Sequence, residues 1–371
     1  MQIGIDASRA VGKLRTGTEN YSLHLIAALL RGDSANRYVL YCNQQPAAGL
    51  FPLTTHTEIR TLPSRRLWTH LRLAWDVARR PPDVLFIPAH VVPAYCRCPA
   101  VVTIHDLGYL AHPEAHPLAS RLYLSLSTRH SVRSARRVIA VSLATKDDLV
   151  AKLGVPQERI AVVHEACPPG YKPLADRRLG LAAAAKYGLT DPYVLSVGTL
   201  HPRKNVPRLL EAFALARRQQ GLPHMLGLVG RIGWRAQAVG QTIAGLGLQD
   251  TVVVTGYVPE AELPLLLGAA DALAFPSLYE GFGLPALEAM ACGVPVVAAN
   301  STSLPEVVGD AGLLVNPLDV EDIARGLATV LTDRTLHADL AERGYLRAGE
   351  FSWEKAARET LAVLLDAATS A

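Results

Sequence analysis

Short runs of apolar residues alternate with amphipathic stretches along the whole chain. The runs are typical of strands buried on both faces, because such strands lose the apolar–polar alternation of a half-exposed strand. The stretches between them repeat apolar positions with the period of a helix. This order predicts βαβ units and parallel, doubly wound sheets. The predicted strands are Ile3–Asp6, Tyr38–Cys42, Val84–Ile87, Val101–Ile104, Val138–Val141, Ile160–Val163, Tyr193–Val197, Met225–Val229, Val252–Thr255, Ala272–Phe275, Val294–Ala298 and Leu313–Val315.

A stretch rich in Pro and Gly, ACPPGYKPL at 166–174, interrupts this alternation near the middle of the chain. The 371 residues also exceed what one hydrophobic core usually holds. We therefore expect an α/β protein of two Rossmann-like domains, 1–170 and 171–351. Ligands bind beyond the carboxyl ends of parallel strands, so a cleft between the domains is the expected site. The predicted helices include Glu19–Leu30, Leu67–Ala78, Ala119–Val132, Ala144–Leu153, Val206–Arg217, Ala261–Leu267 and Val320–Val330, and an amphipathic helix ends the chain.

The composition is that of a globular protein, with 50% apolar and 19% charged residues. No apolar run approaches the ~20 residues of a membrane span. The first residues, MQIGIDAS, lack the basic and apolar regions of a signal peptide. The five cysteines are mostly scattered, and Cys96-x-Cys98 has no second ligand pair at zinc spacing, which favours reduced thiols. We therefore expect a cytoplasmic protein.

The net charge of +4 is unevenly distributed. Residues 1–170 carry 20 Lys and Arg against 12 Asp and Glu, which leaves 17 and 21 of the chain's 37 and 33 for the remainder. A basic first half predicts an anionic partner on that side, such as a phosphorylated acceptor or a membrane surface. Nucleic acid is not expected, because no aromatic residues interleave with the basic ones as a stacking surface would require.

Candidate chemistry is concentrated between Ala272 and Asn300. The pattern predicts a strand, a loop with Gly281 and Gly283, a helix that begins at Leu284, and a second strand. Glycines let the backbone approach a ligand closely, and free N–H groups at the helix start favour an anion. Glu280 lies in the loop and Glu288 in the helix, where its carboxylate could accept hydrogen bonds from vicinal hydroxyls such as those of a ribose. The alternative for Glu288 is an ordinary surface position, but its apolar neighbours favour a ligand.

A second loop follows the strand Tyr193–Val197, with the sequence GTLHPRKN. Gly198 ends the strand, and Arg203 and Lys204 come directly before a helix. Adjacent cations at a helix N-terminus favour binding of a phosphate or diphosphate. The alternative is a solvated loop with ordinary surface charges, and the two readings are about equally supported.

The loop after Glu280 also matches a dinucleotide-binding pattern. Gly281-Phe-Gly-Leu-Pro-Ala286, with Glu306 twenty residues further on, satisfies the G-x-G-x-x-A dinucleotide pattern. Five residues separate the predicted strand from Gly281, however, whereas the dinucleotide turn follows its strand at once, so hydride transfer is disfavoured. The chain contains no D-x-D, no G-x-S-x-G and no His-rich metal motif, so we expect no metal site.

In the first half, two loops are candidates. His105 follows a strand in the turn Ile104-His-Asp-Leu107 and either contacts a substrate or is satisfied within the loop. The loop from Gly12 to Thr18, which includes Arg15 and Gly17, precedes a helix and resembles a phosphate-facing turn, although it lacks the G-K-[ST] of a P-loop.

The stretch from Arg65 to Arg80 is basic and amphipathic, with Trp68, Leu71 and Trp75 at helical spacing. One reading is a helix that lies on an anionic membrane surface. The other is a helix that packs this stripe on the sheet and turns its arginines to water. The pattern slightly favours the second.

These motifs resemble those of the retaining glycosyltransferases of family 4, which have the GT-B fold. The E-x7-E signature is present as Glu280 and Glu288, within SLYEGFGLPALEAMACGVPVVA. The family's VGxxxxRKN loop corresponds to Gly198 to Asn205. The run TGYVPEAELPLLLGAADALAFPS and the IHDL turn also match, and the resemblance covers nearly the whole chain. The last helix, 352–371, resembles the family segment that crosses back to the first domain.

The resemblance implies a nucleotide-sugar donor held mainly by the second domain. Arg203 and Lys204 would neutralise the leaving diphosphate, and Glu288 would bind the ribose. Glu280 and the Gly281–Gly283 amides would hold the sugar's hydroxyls, and His105 would contact the sugar near its anomeric carbon. Of these, His105, Arg203, Lys204 and Glu280 form the expected catalytic group. The expected donor contacts are Gly17, Gly198, Arg203, Lys204, Glu280, Gly281, Phe282, Gly283, Leu284 and Glu288.

The resemblance also implies front-face attack through an oxocarbenium-like state, with retention of configuration, no metal and no cofactor. The transferred group would be a hexose, and general likeness to bacterial mannosyltransferases of polysaccharide and lipopolysaccharide assembly suggests mannose. The donor would be GDP- or UDP-linked, and the acceptor a carbohydrate or lipid-linked glycan, with peripheral contact at the inner face of an anionic membrane as an open alternative. A nucleotide-sugar epimerase and a non-catalytic nucleotide-sugar-binding protein of the same fold are the other functions kept open.

Overall fold

The computed structural model describes residues 1–12, 17–64, 67–89, 91–115, 117–231, 233 and 237–369. Arg15, Arg65 and Arg66 lie outside these ranges. The chain forms two compact units. Unit 1 comprises Met1–Leu110, Pro117–Ala166 and the segment from Phe351 onward, and unit 2 comprises Ala111–His116 and Cys167–Glu350. Apart from the short segment Ala111–His116, the chain passes from unit 1 to unit 2 after Ala166 and returns after Glu350. The domain limits of 170 and 351 stay a prediction.

Within the described ranges, each unit contains one parallel sheet with helices between its strands. The sheet of unit 1 has seven strands in the order β3-β2-β1-β4-β5-β6-β7, and that of unit 2 has six in the order β10-β9-β8-β11-β12-β13. In each sheet the direction in which successive strands are added reverses once, between β1 and β4 in unit 1 and between β8 and β11 in unit 2. The strands are β1 (Gln2–Asp6), β2 (Arg37–Cys42), β3 (Thr57–Thr61), β4 (Val84–Ile87), β5 (Ala100–Ile104), β6 (Arg137–Ala140), β7 (Ile160–Val162), β8 (Tyr193–Val197), β9 (Met225–Val229), β10 (Val252–Gly256), β11 (Ala272–Phe275), β12 (Val296–Ala299) and β13 (Leu313–Val315).

Helices mostly alternate with the strands along the chain. A π-helical turn, Thr69–Leu73, leads directly into the helix Ala74–Arg79. Across the ranges just given, no helix is long and apolar enough to cross a membrane. The helices are α1 (Gly17–Gly32), α2 (Ala74–Arg79), α3 (Gly108–Ala111), α4 (Leu118–Ser134), α5 (Leu143–Leu153), α6 (Arg177–Ala185), α7 (Val206–Gln220), α8 (Gln237–Gly245), α9 (Leu263–Ala269), α10 (Leu284–Ala291), α11 (Leu304–Val308), α12 (Val320–Thr332), α13 (Arg334–Ala348) and α14 (Trp353–Thr369).

The last helix, α14, packs on α1 and on one face of the first sheet. Its first residue, Trp353, lies edge-on to the Tyr21 ring of α1, with ring centroids 5.8 Å apart. Trp353, Leu364 and Ala367 of this helix are buried. The predicted return of the C-terminal helix to the first domain is therefore confirmed.

The predicted strands are all present, and the one strand the sequence analysis missed is β3. Its sequence, TEIRT, carries only one large apolar side chain, because it is the edge strand next to β2 and none of its residues is fully buried. Edge strands commonly carry polar residues, which discourage pairing with other chains. The buried-run pattern therefore does not detect it.

Candidate active site

The loops that carry the predicted site residues leave neighbouring strands of the second sheet. β8 pairs with β11, and the strand order reverses between them. Ligands of doubly wound sheets bind at such a switch point, because the loops on its two sides diverge and leave a crevice. Arg203 and Lys204 follow β8, and Glu280 follows β11. The topology of unit 2 therefore brings the two predicted motifs to one place.

Asn205 fixes the first loop against its neighbours. It follows the short 3₁₀ turn Pro202–Lys204, and its backbone has a left-handed φ of 60°, which Asn tolerates better than most residues. Its Nδ2 donates to the carbonyl oxygens of Pro276, at 3.0 Å, and Pro317, at 2.6 Å. Its Oδ1 accepts a hydrogen bond from Arg208 at 2.7 Å. Both amide hydrogens and the amide oxygen are thus engaged, so α7 begins from a fixed point.

Lys204 and Glu280 form a short, largely buried ion pair. Lys204 Nζ lies 2.6 Å from Glu280 Oε1 and 4.6 Å from the centroid of the Phe275 ring. The two charged side chains are only 14% and 8% exposed. Gly198, whose φ is 143°, leaves room for the lysine, since a Cβ there would lie 2.8 Å from Lys204 Cε. Water screens such a pair little, and an arriving anion meets a cation that is already positioned.

Two hydroxyl side chains that follow β12 hold the loop of Glu280. Thr302 Oγ1 accepts a hydrogen bond from the Glu280 N–H at 3.1 Å. The buried Ser303 Oγ lies 3.1 Å from the Glu280 carbonyl oxygen and 2.8 Å from that of Phe282, and donates to them. The sequence analysis missed both residues. The available signal was their position, because they follow a strand adjacent to β11 at the same edge of the sheet.

The segment from Gly281 to Leu284 connects Glu280 to α10. Gly281, Phe282 and Gly283 are buried, and Leu284 is half-buried. Gly283 precedes the helix with a φ of 111°, and a Cβ there would lie 2.6 Å from the side chain of Leu304. Glycine is therefore required at this turn both by backbone conformation and by space.

Glu288 is buried in the second turn of α10, with 9% of its surface exposed. The alternative of an ordinary surface position is therefore wrong. Burial, and after it the charge of Glu288, raises the pKa of the Cys292 thiol to about 12. The same two causes raise the pKa of Cys167 and of the Tyr171 hydroxyl above their ordinary values. The carboxylate thus stands beside weakly acidic groups that remain protonated at neutral pH.

An arginine and a tyrosine that were not predicted as site residues contact each other beside the first loop. Arg231 and Tyr257 follow β9 and β10, and the guanidinium lies 5.1 Å from the centroid of the tyrosine ring. Tyr257 is 47% exposed. β9 is the neighbour of β8, and the Gly198 N–H donates to the Val229 carbonyl oxygen at 2.8 Å. A solvent-accessible aromatic face therefore lies along the same edge of the sheet as Lys204.

The two remaining candidates belong to unit 1. Gly17 is the first residue of α1, and the rest of its predicted loop from 13 to 16 lies outside the described residues. His105 follows β5 and is buried. Its Nδ1 lies 2.8 Å from Glu165 Oε1, and its Nε2 lies 2.9 Å from the Pro88 carbonyl oxygen.

Both partners of His105 are oxygen acceptors, so a proton on each ring nitrogen would satisfy both contacts. Burial lowers the pKa of His105, but the hydrogen bond and charge of Glu165, together with the Pro88 carbonyl, outweigh burial and raise it. A contact between a ring nitrogen and a sugar requires exchange of one of these bonds. The predicted catalytic role of His105 therefore stays a prediction. The sequence analysis missed Glu165, whose signal was a polar position just after β7.

In the part of the chain that the structure describes, no group of three or more His, Cys, Asp or Glu residues is placed to hold a metal ion. Cys96 and Cys98 lie with their Sγ atoms 3.5 Å apart, and all five cysteines are free thiols.

Comparison with known proteins places both halves of the chain. Residues 15–169 match the family described as Glycosyltransferase Family 4, and residues 183–347 match glycosyl transferases group 1. The O-antigen chain mannosyltransferase B of Escherichia coli is 38% identical over 263 residues, which are 71% of this chain and 69% of that one. The serotype-specific mannosyltransferase WbdA of Escherichia coli is 30% identical over 287 residues, which are 73% of this chain but only 33% of that one.

Among solved structures, the fold resembles that of Anabaena Alr3699/HepE in complex with UDP-glucose. The TM-score is 0.77 at 22% identity, and the match covers 99% of this chain and 100% of that one. The chain therefore belongs to the family 4 glycosyltransferases and has the two Rossmann-like domains of the GT-B fold.

Proposed function

We propose that this glycosyltransferase moves a hexose from a nucleoside-diphosphate sugar to a carbohydrate or lipid-linked acceptor, with retention of configuration and without a metal. The observation that carries the proposal is the Lys204–Glu280 pair at the switch point of the second sheet. Negative charge accumulates on the diphosphate as the glycosidic bond breaks. A cation fixed in advance at a site of low water content stabilises that charge without the cost of reorganisation.

Each partner of the pair has a separate role in this proposal. Lys204 contacts the diphosphate, together with Arg203 and the free N–H groups at the start of α7. Glu280 holds the lysine through Oε1, which leaves Oε2 able to accept a hydrogen bond from a sugar hydroxyl. The Thr302 and Ser303 hydroxyls keep the Glu280 loop in place while the diphosphate departs. The acceptor then attacks from the face that the diphosphate leaves, and the departing phosphate takes the acceptor's proton.

The nucleoside is proposed to lie along the same edge. Glu288, buried in α10, accepts hydrogen bonds from the two ribose hydroxyls through its carboxylate oxygens. The exposed ring of Tyr257, held by Arg231, offers a face on which a nucleobase can stack. Stacking on one ring does not distinguish guanine from uracil, so the donor panel below includes both bases.

Mannose is the proposed sugar, because both Escherichia coli relatives are named mannosyltransferases. GDP-mannose is therefore the first donor to test. UDP-glucose is the second, since that is the ligand in the solved HepE complex. The O-antigen name of the first relative supports a polysaccharide or lipopolysaccharide acceptor.

The test is a panel of GDP- and UDP-linked sugars with release of nucleoside diphosphate as the readout, in buffer with and without EDTA. The expected result is diphosphate release from GDP-mannose that EDTA does not reduce, and a product whose NMR anomeric signals show retention. An inverted product contradicts the mechanism, and loss of activity in EDTA contradicts metal independence. Conversion of the donor without diphosphate release would instead indicate an epimerase.

A further inference from the structure

An unpartnered apolar stripe runs along α4 in unit 1. Leu118, Leu122 and Leu126 are 78%, 62% and 61% exposed. They are spaced four residues apart, so their side chains stand one above another on a single face of the helix. Tyr123 beside them is 57% exposed. Single exposed leucines are ordinary, but a stripe of this kind marks a surface that contacts something apolar.

The same face of α4 becomes basic toward its C-terminal end. Arg129 and Arg133 continue the row of Leu118, Leu122 and Leu126. Arg129 lies seven residues after Leu122, and Arg133 seven after Leu126. Seven residues at 100° each are close to two full turns, so the arginines lie on the same face. α4 contains a third arginine, Arg121, and no Asp or Glu. We call these side chains of α4, apolar first and basic after, the α4 surface. It lacks the carboxylates that would neutralise it.

A second exposed group adjoins the α4 surface. Leu71 and Trp75 are each 58% exposed, and the Arg79 guanidinium lies 4.6 Å from the centroid of the Trp75 ring. The segment after β4 connects this group to α4. In that segment the Val92 N–H donates to Ser131 Oγ of α4 at 3.1 Å, and the Ala94 N–H donates to His70 Nδ1 in the π-helical turn at 3.2 Å.

Both groups also cover the same face of the first sheet, because Leu73 and Val77 on one side and Val132 on the other belong to one buried cluster. The exposed leucines, tryptophan and arginines therefore belong to helical segments that cover one face of the first sheet. Trp68, which the sequence analysis placed on the same stripe as Leu71 and Trp75, is instead buried in this cluster.

We propose that the α4 surface, with Leu71 and Trp75, docks on an anionic lipid membrane. Leucine and tryptophan side chains enter the boundary between head groups and acyl chains, while arginines bind lipid phosphates. Each basic side chain near an anionic leaflet adds to the attraction. A second copy of the chain fits less well, because pairing α4 with α4 would bring arginines together with no carboxylate on either helix to compensate.

The test measures binding of the full chain to vesicles of phosphatidylcholine with about one quarter phosphatidylglycerol, and to pure phosphatidylcholine, by flotation without any nucleotide. Wild type is expected to bind the anionic vesicles at least ~10-fold more tightly, and less so in high salt. The variant Leu118→Ser/Leu122→Ser/Leu126→Ser should lose at least ~10-fold in affinity.

A charge variant, Arg129→Gln/Arg133→Gln, should lose most of the preference for anionic lipid. The matched control is Leu179→Ser/Leu346→Ser, which removes two leucines of unit 2 that are 61% and 65% exposed, and should bind as wild type does. Absence of wild-type binding, or equal binding by the triple-serine variant, overturns the proposal. Concentration-dependent self-association that the triple-serine variant abolishes also overturns it, in favour of a second copy. Because no donor or acceptor is present, the result is independent of the proposed transfer reaction.

Discussion

Substitutions in the Lys204–Glu280 ion pair distinguish its contribution to folding stability from its contribution to turnover. In Lys204→Met the side chain stays unbranched and is one atom shorter, but Glu280, 8% exposed, loses the cation that lay 2.6 Å away. Breaking a buried pair in this way costs about 3–5 kcal/mol, because an uncompensated charge stays behind. For a unit of this size, each kcal/mol lowers the melting temperature by roughly 2–4 °C, so unit 2 should melt roughly 6–20 °C earlier.

The double variant Lys204→Met/Glu280→Gln separates the two contributions. Replacement of a whole buried pair by neutral groups is often close to neutral, so its unfolding free energy should return to within about 1 kcal/mol of wild type. Its turnover should remain about 100- to 1,000-fold low, since the cation for the diphosphate is still missing. Differential scanning calorimetry and diphosphate release, measured on the same samples, give both quantities.

The matched control is Lys152→Met in α5. Lys152 lies 2.8 Å from Asp148 on the surface of unit 1, where a pair of this kind contributes about 0–1 kcal/mol. A melting temperature of Lys204→Met equal to that of this control would refute the account of a buried pair. Wild-type turnover in the double variant would refute the assignment of Lys204 to the diphosphate while leaving the stability argument intact.

Gly198→Ala should lower kcat while Michaelis constants change less, because the new Cβ would lie 2.8 Å from Lys204 Cε and a φ of 143° disfavours alanine. Steady-state kinetics measures the effect, and a circular dichroism melt shows whether the variant is folded. An unchanged kcat would contradict the prediction. Glu288→Gln should weaken donor binding about 10- to 100-fold, because the charged hydrogen bonds to the ribose are lost. Isothermal titration calorimetry measures the affinity. A variant that binds the donor as tightly as wild type would exclude ribose binding by Glu288. In unit 1, the raised pKa of His105 means that its imidazolium contributes stability fully below about pH 6.5, and that this stability is lost as pH rises through the folded pKa. Melting curves from about pH 6 to 9 should therefore fall more steeply for wild type than for Glu165→Gln, and parallel slopes would show that the pair does not titrate with folding.

Strands were the easiest part of the structure to predict, because a strand covered on both faces leaves a run such as Val84–Ile87 or Ala272–Phe275 in the sequence. The E-x7-E block was predictable for a related reason. Its glycines and its strand–loop–helix order are local, so the sequence alone places Glu280 in a loop and Glu288 in a helix.

The π-helical turn explains why helical periodicity did not predict the orientation of Trp68. Trp68, Leu71 and Trp75 were predicted to share one face at 3.6 residues per turn, but the turn Thr69–Leu73 is wound with wider i→i+5 hydrogen bonds. Trp68 therefore points into the core, where its Nε1–H donates to the Leu62 carbonyl oxygen at 2.7 Å, while the other two face outward. Sequence patterns that assume one helical period cannot register such an insertion.

Hydrogen-bond partners that are distant in sequence could not be predicted either. Thr302 and Ser303 contact the Glu280 loop across more than twenty residues, and Glu165 reaches His105 across sixty. Short polar residues of this kind are common at strand ends, and only the three-dimensional register of neighbouring strands selects which of them meet. The identity of the loop was thus predictable, whereas its supports were not.

Asn205 has a consequence for how this protein can vary. Its amide joins the exits of three strands, because Pro276 and Pro317 follow β11 and β13 while Asn205 itself belongs to the loop after β8. Aspartate would lose both donors and bring a negative charge against two carbonyl oxygens, and glycine would keep the backbone conformation but lose every side-chain bond. No other residue supplies both properties equally well. A substitution at this one side chain would therefore disturb the loop that carries Lys204 together with the segments after β11 and β13.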